Sequence, residues 1–149
     1  MSTLLVRPAH PQDLAALVTL YQQLSTRNPA SVSPRHEEAW QAMLAHPGLH
    51  VLVAEQDGQL VGTLTLALLP NLTRGVRPYG VIENVVTAGT YRNRGIGRAL
   101  LEEAERLARE ARAYKVMLMS GAEVHGAHAF YQKCGYQADT KQAFEKRWP

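Results

Sequence analysis

Apolar residues recur along this chain with two periods, and the switches between them mark its elements. Leu4-Leu5-Val6 reads as a short opening strand. Pro11 and Asp13 supply helix-start chemistry, and Leu14, Leu17, Val18, Tyr21 and Leu24 follow at helical spacing. A polar break from Asn28 to Val32 precedes Ser33-Pro34, which sets serine at an N-cap and proline in the first turn of a second helix. Trp40, Met43 and Leu44 give that helix an apolar stripe, and Pro47-Gly48 ends it.

Period two follows. His50–Glu55 and Gln59–Leu68 read as strands joined across Asp57-Gly58, a pair suited to a tight hairpin turn. Pro70–Pro78 is a loop by its Pro, Gly and Asn content. Tyr79–Thr87 is mostly apolar, as expected of a strand buried on both faces. Gly95–Ala113 reads as a long amphipathic helix. Ile96, Leu100, Leu107 and Ala111 lie toward one side, with Glu102–Arg106 and Glu105–Arg109 paired outward. Lys115–Ser120 is expected as a buried strand, and His125–Lys133 as a short helix closed by Gly135 in the left-handed conformation. Gln142–Arg147 is expected as a closing strand. This order predicts an α/β (α+β) sandwich with a mixed sheet.

Composition narrows the function classes. At 149 residues the chain is expected to be a single domain, residues 1–149. A hydrophobic fraction of 46% can build a core, which excludes disorder for most of the chain. One cysteine, Cys134, rules out an internal disulfide framework and fits a reducing, cytoplasmic setting. No apolar run suits a bilayer span and no signal-peptide pattern opens the chain, so no membrane partner is expected. The net charge of +3 suits an anionic ligand, but dispersed arginines and 7% aromatic residues give no support to nucleic-acid binding. His125 and His128 stand near Glu123 without a convincing third and fourth ligand, so no metal is expected.

The chemistry concentrates in Tyr79–Leu101, an apolar strand, a polar turn, and a glycine-containing turn opening into a helix. Free N–H groups at such a helix start form an anion site. Gly95 and Gly97 allow close backbone approach, and Arg92, Arg94 and Arg98 add positive charge. No G-x-x-x-x-G-K-[ST] string occurs. A dinucleotide fingerprint is also missing, because Leu100 stands at the third small position and the next strand ends in Ser120. The string that remains is Arg92-Asn93-Arg94-Gly95-Ile96-Gly97. It resembles the R-x-x-G-x-G pyrophosphate loop of the GNAT superfamily, the acetyl-CoA-dependent N-acetyltransferases. Two further segments extend the resemblance over the second half of the chain. Ile82-Glu83-Asn84-Val85-Val86-Thr87 is similar to the central strand of that family, and Phe130-Tyr131-Gln132-Lys133-Cys134-Gly135-Tyr136 to its late helix and turn.

The resemblance implies a three-layer sandwich whose mixed central sheet is flanked by helices. It implies acetyl-CoA as co-substrate, held by Arg92, Asn93, Arg94, Gly95, Ile96, Gly97 and Arg98, with its pantetheine paired to the backbone of Val85, Val86 and Thr87. A backbone N–H there, that of Val85, would stabilise the oxyanion. Glu83 is the candidate base and Tyr131 the candidate acid for the leaving thiolate. Glu83 also reads as an outward or Arg-paired glutamate, and Tyr131 as a packed tyrosine. Asn84 is placed on the acceptor side, and Arg74 and Arg77 are candidates for an acidic acceptor or members of a solvated loop. Tyr21 and Trp40 lie on helices that border acceptors in this family, though aromatic stripes usually serve the core. The expected partner is a small primary amine, a sugar phosphate among the alternatives. A non-catalytic acyl-CoA-binding module is the rival from another class. A homodimer fits the family habit.

Overall fold

In the computed structural model, which describes residues 3–149, the strands form one five-stranded sheet in the order β1-β2-β3-β4-β5. The elements are β1 (Leu5–Pro8), α1 (Leu14–Tyr21), α2 (Pro34–Ala45), β2 (Leu49–Gln56), β3 (Gln59–Leu69), the one-turn α3 (Thr73–Val76), β4 (Tyr79–Thr87), α4 (Ile96–Glu110), β5 (Val116–Leu118) and α5 (His125–Lys133). Two compact units divide the chain, the first ending at Met117 and the second running Leu118–Pro149.

Register explains the layers of the first unit. Val51 opposes Thr65 and Val53 opposes Thr63, so these four share one face of the sheet. Leu17 of α1 and Trp40 of α2 pack with Val51 and Val53 on that face. Leu52, Leu64 and Gly62 alternate to the other face. There α4 lies so close that a Cβ on Gly62 would stand 2.9 Å from Ile96 Cγ2 and 3.1 Å from Leu100 Cδ1. Helices therefore cover both faces, giving three layers.

Local chemistry places several boundaries as expected. Asp57 (φ 55°) and Gly58 (φ 73°) form the tight β2–β3 turn in left-handed conformations. Ser33 caps α2, its hydroxyl accepting from the His36 N–H. The partly buried Arg7 guanidinium, on β1, bonds Asp13 at 2.8 Å and Glu55 at 3.1 Å, tying the entry to α1 onto the sheet edge.

Elsewhere the structure corrects the pattern. β1 runs to Pro8 rather than ending at Val6, because Ala9 still bonds Val51 and an edge strand tolerates proline. α1 stops at Tyr21, leaving Leu24 half exposed. On α4 the buried stripe is Ile96, Leu100, Leu101, Ala104 and Ala108, whereas Ala111 is exposed. Arg106 pairs with Glu103 and Glu110 instead of Glu102. β5 is three residues long and only half buried. Gln142–Arg147 forms no strand: Phe144 lies 89% exposed, and no neighbour supplies a ladder. β4 occupies the expected span but is not buried on both faces, since Glu83 and Asn84 are exposed.

Candidate active site

The exposure of Asn84 has a local cause. Across the β3–β4 ladder Thr65 pairs with Glu83 and Thr63 with Val86. Leu64 alone therefore faces both Asn84 and Val85, which makes a bulge with one extra residue on β4. Asn84 takes up the slack at φ 56°, a left-handed conformation that asparagine tolerates better than a branched residue. The backbone of Asn84 and Val85 is left outside the regular ladder. Val86 is buried, with Val85 and Thr87 half buried on either side.

Glu83 shares the face of Thr65, the side covered by α1. It makes no hydrogen bond or ion pair among the described residues. Glu83 is therefore an outward-facing carboxylate, in regular register with Thr65, and not one enclosed by the strand's neighbours. Beside it, the Tyr21 phenol lies against the Thr65 and Thr63 hydroxyls. Burial pushes its pKa above the usual tyrosine range, and those hydroxyls only partly offset the effect. Thr63 gives its proton to the Leu52 carbonyl at 2.7 Å. The Thr65 hydroxyl is buried without a well-formed hydrogen bond, although Tyr21 lies beside it.

Downstream of β4 the chain builds the cradle. A 3-10 turn at Gly89–Tyr91 leads to Arg92, Asn93 (φ 62°) and Arg94, and Gly95 (φ 80°) caps α4 without a side-chain bond. The first intrahelical bond of α4 is Ala99 N–H to the Gly95 carbonyl. The N–H groups of Ile96, Gly97 and Arg98 precede it, so the helix supplies them no acceptor. Arg92, Asn93, Arg94, Gly95 and Arg98 are exposed around this start. Arg92 reaches back to the Thr87 carbonyl at 3.4 Å, and Arg94 lies 5.0 Å from the Tyr91 ring centre. The side chain of Ile96 is buried beneath Gly62, leaving only its backbone for a ligand. Coenzyme A fits this chemistry: oriented N–H donors, cations, and no Cβ at the helix cap.

Arg74 and Arg77 stand elsewhere. Arg77 donates to the carbonyls of Arg112 (3.0 Å) and Ala113 (3.1 Å), beyond the carboxyl end of α4, and Arg74 lies over the Tyr114 ring. The 15 residues of α4 separate them from the cradle by about 22 Å of helix.

A cavity of about 140 Å³ opens beside the bulge, lined by Tyr21, Leu24, Asn28, Pro29, His36 and Asn84 among others. Of the two aromatic residues considered at the acceptor side, Tyr21 reaches this cavity. Trp40 does not: it is core, with its indole N–H on the Pro11 carbonyl at 2.9 Å. Asn28 and His36 were not foreseen. The available signal for His36 was its place three residues after Ser33, where a side chain reaches back to the N-cap.

In the second unit, α5 carries Tyr131 between Phe130 (ring centres 5.2 Å apart) and Tyr136 (6.2 Å). Burial, then the neighbouring Cys134, raises the pKa of its phenol. Gly135 (φ 93°) closes the helix in the expected left-handed cap. His128 holds the Gly121 carbonyl with Nε2 at 2.7 Å.

The Acetyltransferase (GNAT) family model matches residues 17–136. The chain belongs to the GNAT family of acetyl-CoA-dependent N-acetyltransferases. It is 36% identical over 92 residues to a glucosamine 6-phosphate N-acetyltransferase of Trypanosoma brucei brucei, covering 62% of this chain and 60% of that protein. The match thus spans well under two thirds of that relative's length. It is 29% identical to an aminoglycoside N(6')-acetyltransferase type 1 of Stenotrophomonas maltophilia, over 97% of this chain and 92% of that one. A solved structure from Agrobacterium tumefaciens, "Putative acetyltransferase", superposes with a TM-score of 0.92 at 43% identity, covering 97% of this GNAT chain and 99% of its own.

Proposed function

We propose that this GNAT protein transfers an acetyl group from acetyl-CoA directly to the primary amine of a small molecule. The observation that carries the reading is the bulge at Asn84 preceding the Gly95-capped start of α4. It frees backbone donors beside an anion cradle. In this reading the N–H groups of Arg92–Arg98 hold the diphosphate, with the arginine side chains adding charge. The backbone of Val85, Val86 and Thr87 aligns the pantetheine.

The chemistry then assigns each group a task. A lysine-like amine with pKa about 10.4 is mostly protonated at neutral pH. Glu83 takes that proton, directly or through water. The nitrogen lone pair forms the new C–N bond, and the carbonyl electron pair moves to oxygen. The Val85 N–H donates to that oxyanion. The oxyanion then re-forms the carbonyl as the C–S bond breaks: the sulfur keeps the electron pair, Tyr131 supplies its proton, and the proton that the new amide nitrogen sheds passes to solvent, from which the Tyr131 phenol is restored. The raised pKa of Tyr131 suits a proton donor, since it keeps the phenol protonated.

The family match crosses from the first unit into the second, which supports one acetyltransferase domain over residues 1–149. The single free cysteine suits the cytoplasm, and no helix among the described residues is long and apolar enough to cross a membrane. The assembly proposed is a homodimer, on the habit of the family alone.

The deciding experiment is thiol release from acetyl-CoA over a panel of amines, with donor binding measured in parallel. Acceptor-dependent release establishes the enzyme. Binding without release across the panel favours a non-catalytic acyl-CoA module, and absence of binding removes the cradle assignment.

A further inference from the structure

The cavity beside Asn84 belongs to the first unit, and its lining is chemically one-sided. Tyr21, Asn28, His36 and Asn84 supply polar groups, Leu24 and Pro29 supply apolar wall, and no Lys, Arg, Asp or Glu lines it. An anionic group drawn into such a space would lose its water without gaining a cation. The arginines available for an anion in the preceding loop are committed near the carboxyl end of α4. Some of the polar lining is also committed: the Asn28 side-chain amide donates to the Tyr21 carbonyl at 2.8 Å.

His36 is held differently. The Ser33 backbone N–H lies 3.1 Å from His36 Nδ1, and the Ser33 hydroxyl lies 2.8 Å from the same nitrogen. A backbone N–H can only donate, so Nδ1 carries no proton and the neutral ring carries its proton on Nε2. The His36 N–H bonds the Ser33 hydroxyl in return, so both rotamer and tautomer are fixed by the start of α2. With Nδ1 on Ser33, Nε2–H is the nitrogen left for the cavity that His36 lines. A fixed donor can bond any oxygen acceptor, and in a wall with no cation the uncompensated desolvation of an anion leaves the neutral oxygen favoured.

We propose that this cavity receives the uncharged, oxygen-bearing body of the acceptor amine, a hydroxylated amine or amino sugar without phosphate, and that His36 Nε2–H determines that specificity. The proposal rests on the acetyltransferase reading and narrows its substrate class. His36 is a binding residue, not a chemical participant.

The test compares matched acceptors, glucosamine against glucosamine 6-phosphate and ethanolamine against phosphoethanolamine, in the full-length protein with acetyl-CoA. It adds two variants that both keep a side-chain oxygen at the third helical position, where Gln and Glu alike complete a capping box. His36→Gln retains an N–H donor, whereas His36→Glu replaces it with a negative acceptor. The expected result is preference for the unphosphorylated member of each pair. His36→Glu raises the acceptor KM about tenfold with acetyl-CoA KM unchanged, and His36→Gln restores most of the loss. A purely structural cap would make the two variants behave alike, which overturns the assignment. Preference for the phosphorylated amines overturns it too. Turnover confined to lysine peptides leaves the acetyltransferase reading standing and removes this proposal. Failure to bind acetyl-CoA removes both. Nitrogen NMR of the His36 ring in the free protein gives an independent readout: a proton on Nδ1 contradicts the fixed tautomer.

Discussion

Thr65 and Glu83 stand directly opposite each other across the β3–β4 ladder, at the last regular pair before the bulge. The pairing fixes the face on which the Glu83 carboxylate emerges, next to the Tyr21 phenol. Glu83→Gln keeps the shape and removes the proposed base. Turnover should fall about a hundredfold, within the range of general-base contributions. The loss should be largest at low pH, where little amine is neutral on its own. A pH–rate profile parallel to that of the wild type would remove Glu83 from the mechanism.

Tyr131→Phe tests the acid. Burial raises the Tyr131 pKa, so the phenol stays a proton donor until the pH exceeds the ordinary tyrosine range of about 10. Wild-type turnover should therefore show no loss from its ionisation below that pH. The phenylalanine variant should lose about two orders of magnitude in kcat while the Kd for acetyl-CoA stays near its original value. Calorimetric titration with acetyl-CoA separates the two effects, and full activity would show the assignment wrong.

The Arg7–Asp13 pair predicts an acid weakness. Burial alone would raise the Asp13 pKa, but the Arg7 hydrogen bonds and the His10 N–H overcome it and the net shift is downward. A depressed carboxylate contributes stability that is complete above its unfolded value near 3.8 and is lost as pH falls through the folded value. Denaturant midpoints should drop over that acid window. Asp13→Asn should cost about 1–2 kcal/mol at neutral pH and flatten the acid dependence, because the partly buried Arg7 loses its closest charged partner and keeps only Glu55.

α3 is a left-handed turn, with Arg74 (φ 56°), Gly75 (φ 74°) and Val76 (φ 60°) in succession. A β-branched residue is strained there. Val76 is exposed, so little packing is at stake. Val76→Gly should stabilise the protein by about 1 kcal/mol, read as a rise in Tm with activity intact. A fall in Tm would mean that the Val76 side chain does more than its exposure suggests.

Gly62 links the sheet to the cradle, since a Cβ there would press on Ile96, the first residue of α4. Gly62→Ala should cost about 1–3 kcal/mol by overpacking and weaken acetyl-CoA binding. Unchanged donor affinity would mean that the helix start tolerates the shift.

Much of this was legible because particular residues have few conformational options. Asp57-Gly58 announced a turn needing positive φ, Ser33-Pro34 a helix start, and Gly135 a helix end where a left-handed residue belongs. The glycine-containing start of α4 was readable for the same reason. The bulge was not, because a one-residue slip leaves no trace in a hydrophobic pattern. Asparagine inside the apolar run Ile82–Val86 was its only mark. Gln142–Arg147 misled in the opposite way, since its sequence suits a strand but pairing needs a partner that no pattern supplies. His36 was hidden because its role depends on a bond to Ser33 and on a cavity wall assembled from three separate elements.

Counting residues on either side of the bulge brings out what Asn84 is for. Without it, Glu83, Val85 and Val86 would fall opposite Thr65, Leu64 and Thr63 in unbroken succession, and each would keep the face it has now. The sheet could close over the missing residue like a zip with a spare tooth removed. Asn84 is thus surplus to the architecture, and deleting it should spare the fold while silencing the catalyst. In that one position the blueprint for the scaffold and the blueprint for the activity are written separately.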